Sequence, residues 1–235
     1  MLDSYSSHKD TSKVIDIAVI RHPLITNFTD MNPFFEETDC HVRFVHSADE
    51  LAEPDLLVLP GSKNTLADMQ FLHRTGLADR IRALAEKNTT IVGICGGYQM
   101  LGTSIIDTYE VESSHGKVAG LGLIPMQTKM TKERTTVQSE GLVRYGEKTI
   151  SVTGYEIHMG EPHFEAGISP FIQLSDRTEG TITENRNIIG TYFHGIFHND
   201  SFRENVLNDI RRKKGLDSLL NRTPYAQKKQ EGFDL

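Results

Sequence analysis

The chain has 235 residues, with 25 Lys and Arg against 32 Asp and Glu for a net charge of −7, 37% hydrophobic residues and 19 glycines. This length and composition suit one sizeable globular domain and exclude collagen, coiled coil and wholesale disorder. The acidic balance argues against a nucleic-acid partner, no segment approaches the roughly 18 apolar residues of a membrane helix, and no signal-peptide core opens the chain, so a cytoplasmic protein without a membrane partner is expected.

Residues 1–13 are polar and aperiodic and read as a linker remnant. Residues 14–20 form a β-branched, nearly continuous apolar run, the pattern of a buried parallel strand. After a break at Pro23 and residues 27–32, a short helix is expected near 33–38. Alternation over 41–45 predicts a second strand, and 55–59 a third, stopped by Pro60 and Gly61. A helix follows near 64–72, with Ser62 or Asn64 as N-cap. A second carries Leu77, Ile81, Leu84 and Ala85 on one face. Residues 90–94 form a fourth buried strand running straight into Cys95. Such alternation implies right-handed βαβ crossovers and a mostly parallel sheet flanked by helices. Residues 117–195 differ, with glycine-punctuated alternating segments at 137–145, 149–159 and 188–194 that predict added antiparallel strands. Phe202, Val206 and Ile210 mark a last helix. The predicted organisation is one α/β domain over 14–215 and a polar tail over 216–235, which includes Lys228 and Lys229.

Two cysteines, Cys40 and Cys95, are too few for a disulfide framework or a four-cysteine zinc site, so no metal is expected. Cys95 stands at a strand end with Gly93, Gly96 and Gly97 around it. A nucleophile on a strand-to-helix elbow needs neighbours without side chains, and the helix amides beyond it favour a thiolate and an oxyanion. A buried structural cysteine would fit the same few residues. Cys40 has no glycines beside it and reads as structural. A thiol nucleophile needs a base. His194, between a late apolar strand and Gly195, is one candidate. His158 is the other, on a strand whose Tyr155, Ile157 and Met159 share one face and Glu156 and His158 the opposite one. His194 and His198 have zinc-like spacing, but no carboxylate or thiol cluster joins them. His8, His22, His41, His46, His73, His115 and His163 read as surface or structural.

Cys95-Gly96-Gly97-Tyr98-Gln99-Met100-Leu101-Gly102 resembles the nucleophile motif of class I, triad-type glutamine amidotransferases. More narrowly, the chain resembles the glutaminase domain of the cobyric acid synthase family. The matching segments are Asn27-Phe28-Thr29-Asp30, Leu59-Pro60-Gly61-Ser62-Lys63-Asn64-Thr65, residues 93–102, Gly154-Tyr155-Glu156-Ile157-His158-Met159-Gly160 and Gly190-Thr191-Tyr192-Phe193-His194-Gly195-Ile196-Phe197. The resemblance implies a flavodoxin-like class I amidotransferase fold, glutamine as substrate, Cys95 as nucleophile and His194 as base. It also implies an oxyanion hole near Gly61 and Gly96, and Gln99 as a glutamine-binding residue. By the same resemblance the chain is the C-terminal part of a longer bacterial ligase of cobalamin biosynthesis. An N-terminal synthetase half of the same polypeptide would bind the corrin substrate, adenosylcobyrinic acid a,c-diamide, and use ATP and Mg2+; no cofactor is expected in this domain. No phosphate-binding loop of the Gly-x-x-x-x-Gly-Lys-Ser/Thr type occurs in this chain.

Many class I relatives carry a glutamate two residues after the histidine, where this chain has Ile196. The site is therefore expected to work as a Cys–His dyad, with Glu156 either orienting the histidine or serving as a structural carboxylate. Three other readings stay open: the stand-alone glutaminase subunit of a lipid II amidating complex, a non-catalytic binding module, and a cysteine peptidase on the same elbow.

Overall fold

The computed structural model describes residue 8 and residues 10–114, 116–165 and 167–227. The expectations for His115, for most of the linker and for the end of the tail with Lys228 and Lys229 lie outside those residues.

The first strand, β1 (Ile15–Ile20), is buried along its whole length. Short β2 (Ile25–Thr26), a 3-10 turn (Phe28–Met31) and α1 (Asn32–Phe35) lead to β3 (Cys40–Val45). A single turn, α2 (Ala48–Leu51), precedes β4 (Leu56–Leu59), and β5 (Gly61–Ser62) pairs back onto β2. Two helices follow, α3 (Thr65–Arg74) and α4 (Leu77–Glu86). Asn64 caps α3 by accepting from the Ala67 amide at 2.9 Å. In α4 the buried residues are Leu77, Ala78, Ile81 and Leu84, so three of the four residues of the expected stripe are buried with Ala78, and Ala85 is only partly buried. The central strand β6 (Thr90–Ile94) then runs into α5 (Gly96–Leu101).

The second half is antiparallel in character. Short β7 (Ser104–Ile106) and β8 (Lys117–Ala119) pair with each other, and β9 (Met126–Tyr145) and β10 (Lys148–Phe164) form a long hairpin. Next come β11 (Ser169–Gln173), β12 (Thr178–Ile182), β13 (Ile188–Thr191) and β14 (Phe193–His194), and α6 (Asp200–Lys213) closes the core. The main sheet runs β14-β10-β9-β11-β12-β13-β6-β4-β1-β3. Its β13-β6-β4-β1-β3 section is parallel and the rest of that path antiparallel. Tyr192 alone separates β13, which pairs with β6, from β14, which pairs with β10. The chain thus crosses from the parallel sheet to the hairpin in one residue, and His194 rides on that crossing.

Beyond α6 the chain folds back on the domain. Arg222 donates to Glu37 and to Asp39, both at 2.7 Å, and Asn208 holds the backbone of Leu219. No helix among the described residues is long and apolar enough to cross a membrane.

The glycines around Cys95 are required by close packing. A Cβ on Gly97 would lie 1.9 Å from the Leu59 carbonyl oxygen, and one on Gly93 would lie 2.6 Å from the Gly97 oxygen. The start of α5 therefore rests directly on the backbone of β4 and β6. Gly97→Ala is expected to cost about 3 kcal/mol or more in urea unfolding, because backbone rather than a flexible side chain would have to move. Unchanged stability would mean that α5 can slide away from β4.

Candidate active site

Cys95 adopts φ 54 and ψ −111, outside the left-handed helical basin open to ordinary residues. The conformation is held from both sides. The Cys95 amide donates to the Thr191 carbonyl at 2.8 Å, and its own carbonyl accepts from the Gln99 amide at 3.1 Å. The thiol donates to the Ile157 carbonyl of β10 at 3.3 Å. Cys40, by contrast, is buried at the start of β3, where burial first and then the Asp39 carboxylate push its thiol well above the usual range.

His194 is buried on β14 beside the Cys95 sulfur. Its Nδ1 lies 2.8 Å from Asp30 Oδ2, and the Asp30 Oδ1 accepts from the Gly195 amide at 2.8 Å. One buried carboxylate therefore grips both the ring and the backbone that carries it. Tyr155 stacks on the ring from β10, with centroids 5.2 Å apart. The Asn27 amide nitrogen lies 3.1 Å from Nδ1 and 3.0 Å from Nε2, a spacing that places it against the ring rather than on either nitrogen. Burial works against charging His194, but Asp30 and the Cys95 sulfur outweigh it and raise its pKa to about 9.

Asp30, and not Glu156, is the carboxylate on His194. Glu156 lies across β10 from Cys95, where its carboxylate accepts from Arg177 at 2.6 Å and from Ser139 at 2.8 Å. Burial opposes its charge, yet His158, Arg177 and Ser139 hold its pKa down at about 2. His158 stacks on Tyr192 with centroids 3.8 Å apart and bonds to the Gly160 carbonyl. Ile196, two residues after His194, is fully buried in the core.

Gly61 and Gly96 converge on the same spot. A Cβ on Gly61 would lie 3.2 Å from His194 Cε1, and one on Gly96 would lie 3.0 Å from the Ser62 nitrogen. Asp68 braces this corner, accepting from Ser62 Oγ at 2.6 Å and from the Leu24 amide at 3.1 Å, with His22 Nδ1 2.6 Å away. His22 is thus a structural histidine. Gln99 is buried and fixed, accepting from Thr65 Oγ1 at 3.2 Å and donating to the Met159 carbonyl at 3.0 Å.

Cys95, His194, Gln99, Ser62 and Thr65 line one cleft of about 340 Å³. Three more charged residues, to which the sequence assigned no role, reach it: Lys63, Glu112 and Arg134. Asp107 folds the Glu112 loop inward by accepting from the amides of Val111, Glu112 and Ser113. Glu112 then accepts from the Thr65 amide at 2.6 Å. Burial dominates there, and Glu112 is pushed up to about 7 despite the Thr65 and Leu66 amides. No group of three or more His, Cys, Asp or Glu side chains suited to a metal ion occurs among the described residues.

A cysteine on a strained elbow, facing a carboxylate-bound histidine, is the equipment of acyl transfer through a thioester. Solved structures agree on the fold. The PurLQS structure from Thermotoga maritima superposes with a TM-score of 0.65 at 15% identity, covering 83% of this chain and 99% of that one. A glutamine amidotransferase from the same organism superposes at 0.52 and 15% identity, covering 87% of each chain. Sequence relatives are closer. The cobyric acid synthase of Anoxybacillus flavithermus is 51% identical over 99% of this chain and 46% of its own length. That of Clostridium acetobutylicum is 42% identical over 91% of this chain and 43% of its own. The chain thus spans a little under half the length of these relatives. The profile of the CobB/CobQ-like glutamine amidotransferase domain matches residues 16–202, and the chain belongs to that family of glutamine amidotransferases.

Proposed function

We propose that this chain hydrolyses glutamine and hands the ammonia to a synthetase half of the cobyric acid synthase type. The observation that carries the reading is Cys95 and the Asp30-bound His194 facing one cleft. His194, held as the imidazolium by Asp30, pairs with Cys95 as the thiolate, the thiol proton already on the ring, and the sulfur attacks the side-chain amide carbon of glutamine. Amides near Gly61 and Gly96 stabilise the oxyanion. The imidazolium returns its proton to the amide nitrogen, the C–N bond breaks, and ammonia leaves a glutamyl thioester. His194 next deprotonates water, which attacks the thioester and releases glutamate and the thiol. Asp30 fixes the ring so that Nε2 faces this chemistry.

The charges around the cleft suit a free amino acid. Glu112 offers a carboxylate to the α-ammonium, Lys63 and Arg134 offer cations to the α-carboxylate, and Gln99 lines the same cleft. The ammonia would be consumed where ATP and Mg2+ activate corrin carboxylates, in a partner half that supplies those cofactors. Such a reaction places the enzyme in the cytoplasm.

An electrophilic glutamine analogue, a diazoketone or chloroketone, tests the assignment. Peptide mass spectrometry is expected to find one adduct, on Cys95, suppressed by excess glutamine and absent from Cys40. A label on Cys40, or glutamine hydrolysis that survives with Cys95 unlabelled and replaced by alanine, would overturn it.

A further inference from the structure

A second cavity, of about 500 Å³, lies on the other side of β10 from the cleft. Strand alternation creates the two sides. Ile157 and Met159 face the cleft, while Glu156 points into the second cavity. His158 borders both, because the hairpin register slips between Met159 and Glu161 and Gly160 takes φ 120 at that point. The His158 side chain therefore lines both cavities, and it stacks on Tyr192, whose hydroxyl lies 3.5 Å from Gln99 Nε2. His158 bonds to the Gly160 carbonyl, 3.2 Å away, and its Nε2 lies 3.8 Å from the Glu156 carboxylate.

On the glutaminase reading, ammonia is released beside Cys95 while the glutamyl group, still bound to the sulfur, occupies the same cleft. The opposite wall is closed by the Asp30–His194–Tyr155 stack, which must stay in place for thioester hydrolysis. His158 has no such duty. Beyond it, the Glu156 charge is already neutralised by Arg177, and Pro162, Phe164, Ile168 and Pro170 form an apolar rim. Glu179 also lines the cavity, where burial pushes its carboxyl up to about 8 and it accepts from Thr191 Oγ1 and the Tyr192 amide; a passage with its charges neutralised in this way carries NH3 more readily than an ammonium ion.

We propose that the second cavity is the ammonia exit, gated by His158 and opening where the acceptor half must cover it. This rests on the glutaminase reading above. The test is made on the complete enzyme, this chain together with its synthetase half, by measuring glutamate and amide formed from glutamine and amide formed from ammonium chloride. Thr178→Trp and Thr135→Trp each put an indole into the mouth from an exposed position away from Cys95. Both are expected to keep glutamate release and ammonium-supported amidation, while amide formed per glutamate falls about fivefold or more as ammonia leaks to solvent. Thr153→Trp, in the separate cavity behind His194, is expected to leave that ratio unchanged. An unchanged ratio in both mouth variants, an equal loss of ammonium-supported amidation, or uncoupling by Thr153→Trp alone would each overturn the exit. A parent enzyme that makes no amide from glutamine would overturn the glutaminase reading itself, and the exit with it.

Discussion

Replacing Asp30 with asparagine is expected to slow glutamine hydrolysis by about 10²–10³-fold with little change in KM. The more telling result is the pH profile. With Asp30 present, His194 keeps its proton up to about pH 9, and above that the imidazolium needed to expel ammonia is lost, so activity falls as pH rises. Burial of the ring opposes its charge in both proteins. Without the Asp30 carboxylate that opposition is less well countered, so the alkaline limb should move down by about one to two pH units. A purely structural role would lower activity at every pH and leave the limb in place. That distinction matters because Asp30 also holds the Gly195 amide, and its loss will loosen the β14 turn as well. An alkaline limb that does not move in Asp30→Asn, measured on the fraction that remains folded, would remove Asp30 from the catalytic arrangement.

The parallel half of the fold was legible because a strand covered on both faces is apolar at nearly every position, as in β1 and β6. The elbow was legible for a related reason. Gly93 and Gly97 mark places where backbone meets backbone, and a run of glycines around one cysteine is a local signal. Asp30 gave no such signal for its role. It lies 164 residues from His194 in the chain, and only the crossing from β13 to β14 brings them together. The segment Asn27–Asp30 stood out by resemblance, but nothing in its spacing says which histidine it serves. Glu156 drew attention because it sits beside His158. Yet the same alternation that paired those two residues placed Glu156 on the face turned away from Cys95. Glu112 and Arg134 lie outside every motif the sequence offered, Lys63 lies inside one without an evident role, and Glu112 enters the cleft because Asp107 folds its loop.

Glu112→Gln is expected to raise the KM for glutamine about 30-fold or more, the effect of losing one partner of a desolvated charge pair worth about 2 kcal/mol, with kcat nearly unchanged. The substitution is nearly isosteric, and the glutamine side-chain oxygen can still accept from the Thr65 amide, so the start of α3 keeps its partner. What disappears is the negative charge offered to the α-ammonium. Because Glu112 is pushed up to about 7, the parent enzyme should show a KM that climbs as pH falls below 7 and the carboxylate takes up a proton. The glutamine variant should have a KM independent of pH over that range. Stability should run the other way. A carboxylate whose pKa is higher folded than unfolded stabilises the fold at low pH, and that contribution is lost as pH rises from the unfolded value toward 7. Glu112→Gln removes this loss, so above pH 7 the variant should unfold no more easily than the parent while binding glutamine far more weakly. Opposite movements of KM and stability on one substitution separate a substrate-binding charge from a structural one. A KM that stays at the parent value, at pH 6 and at pH 8 alike, would show that the α-ammonium is held elsewhere.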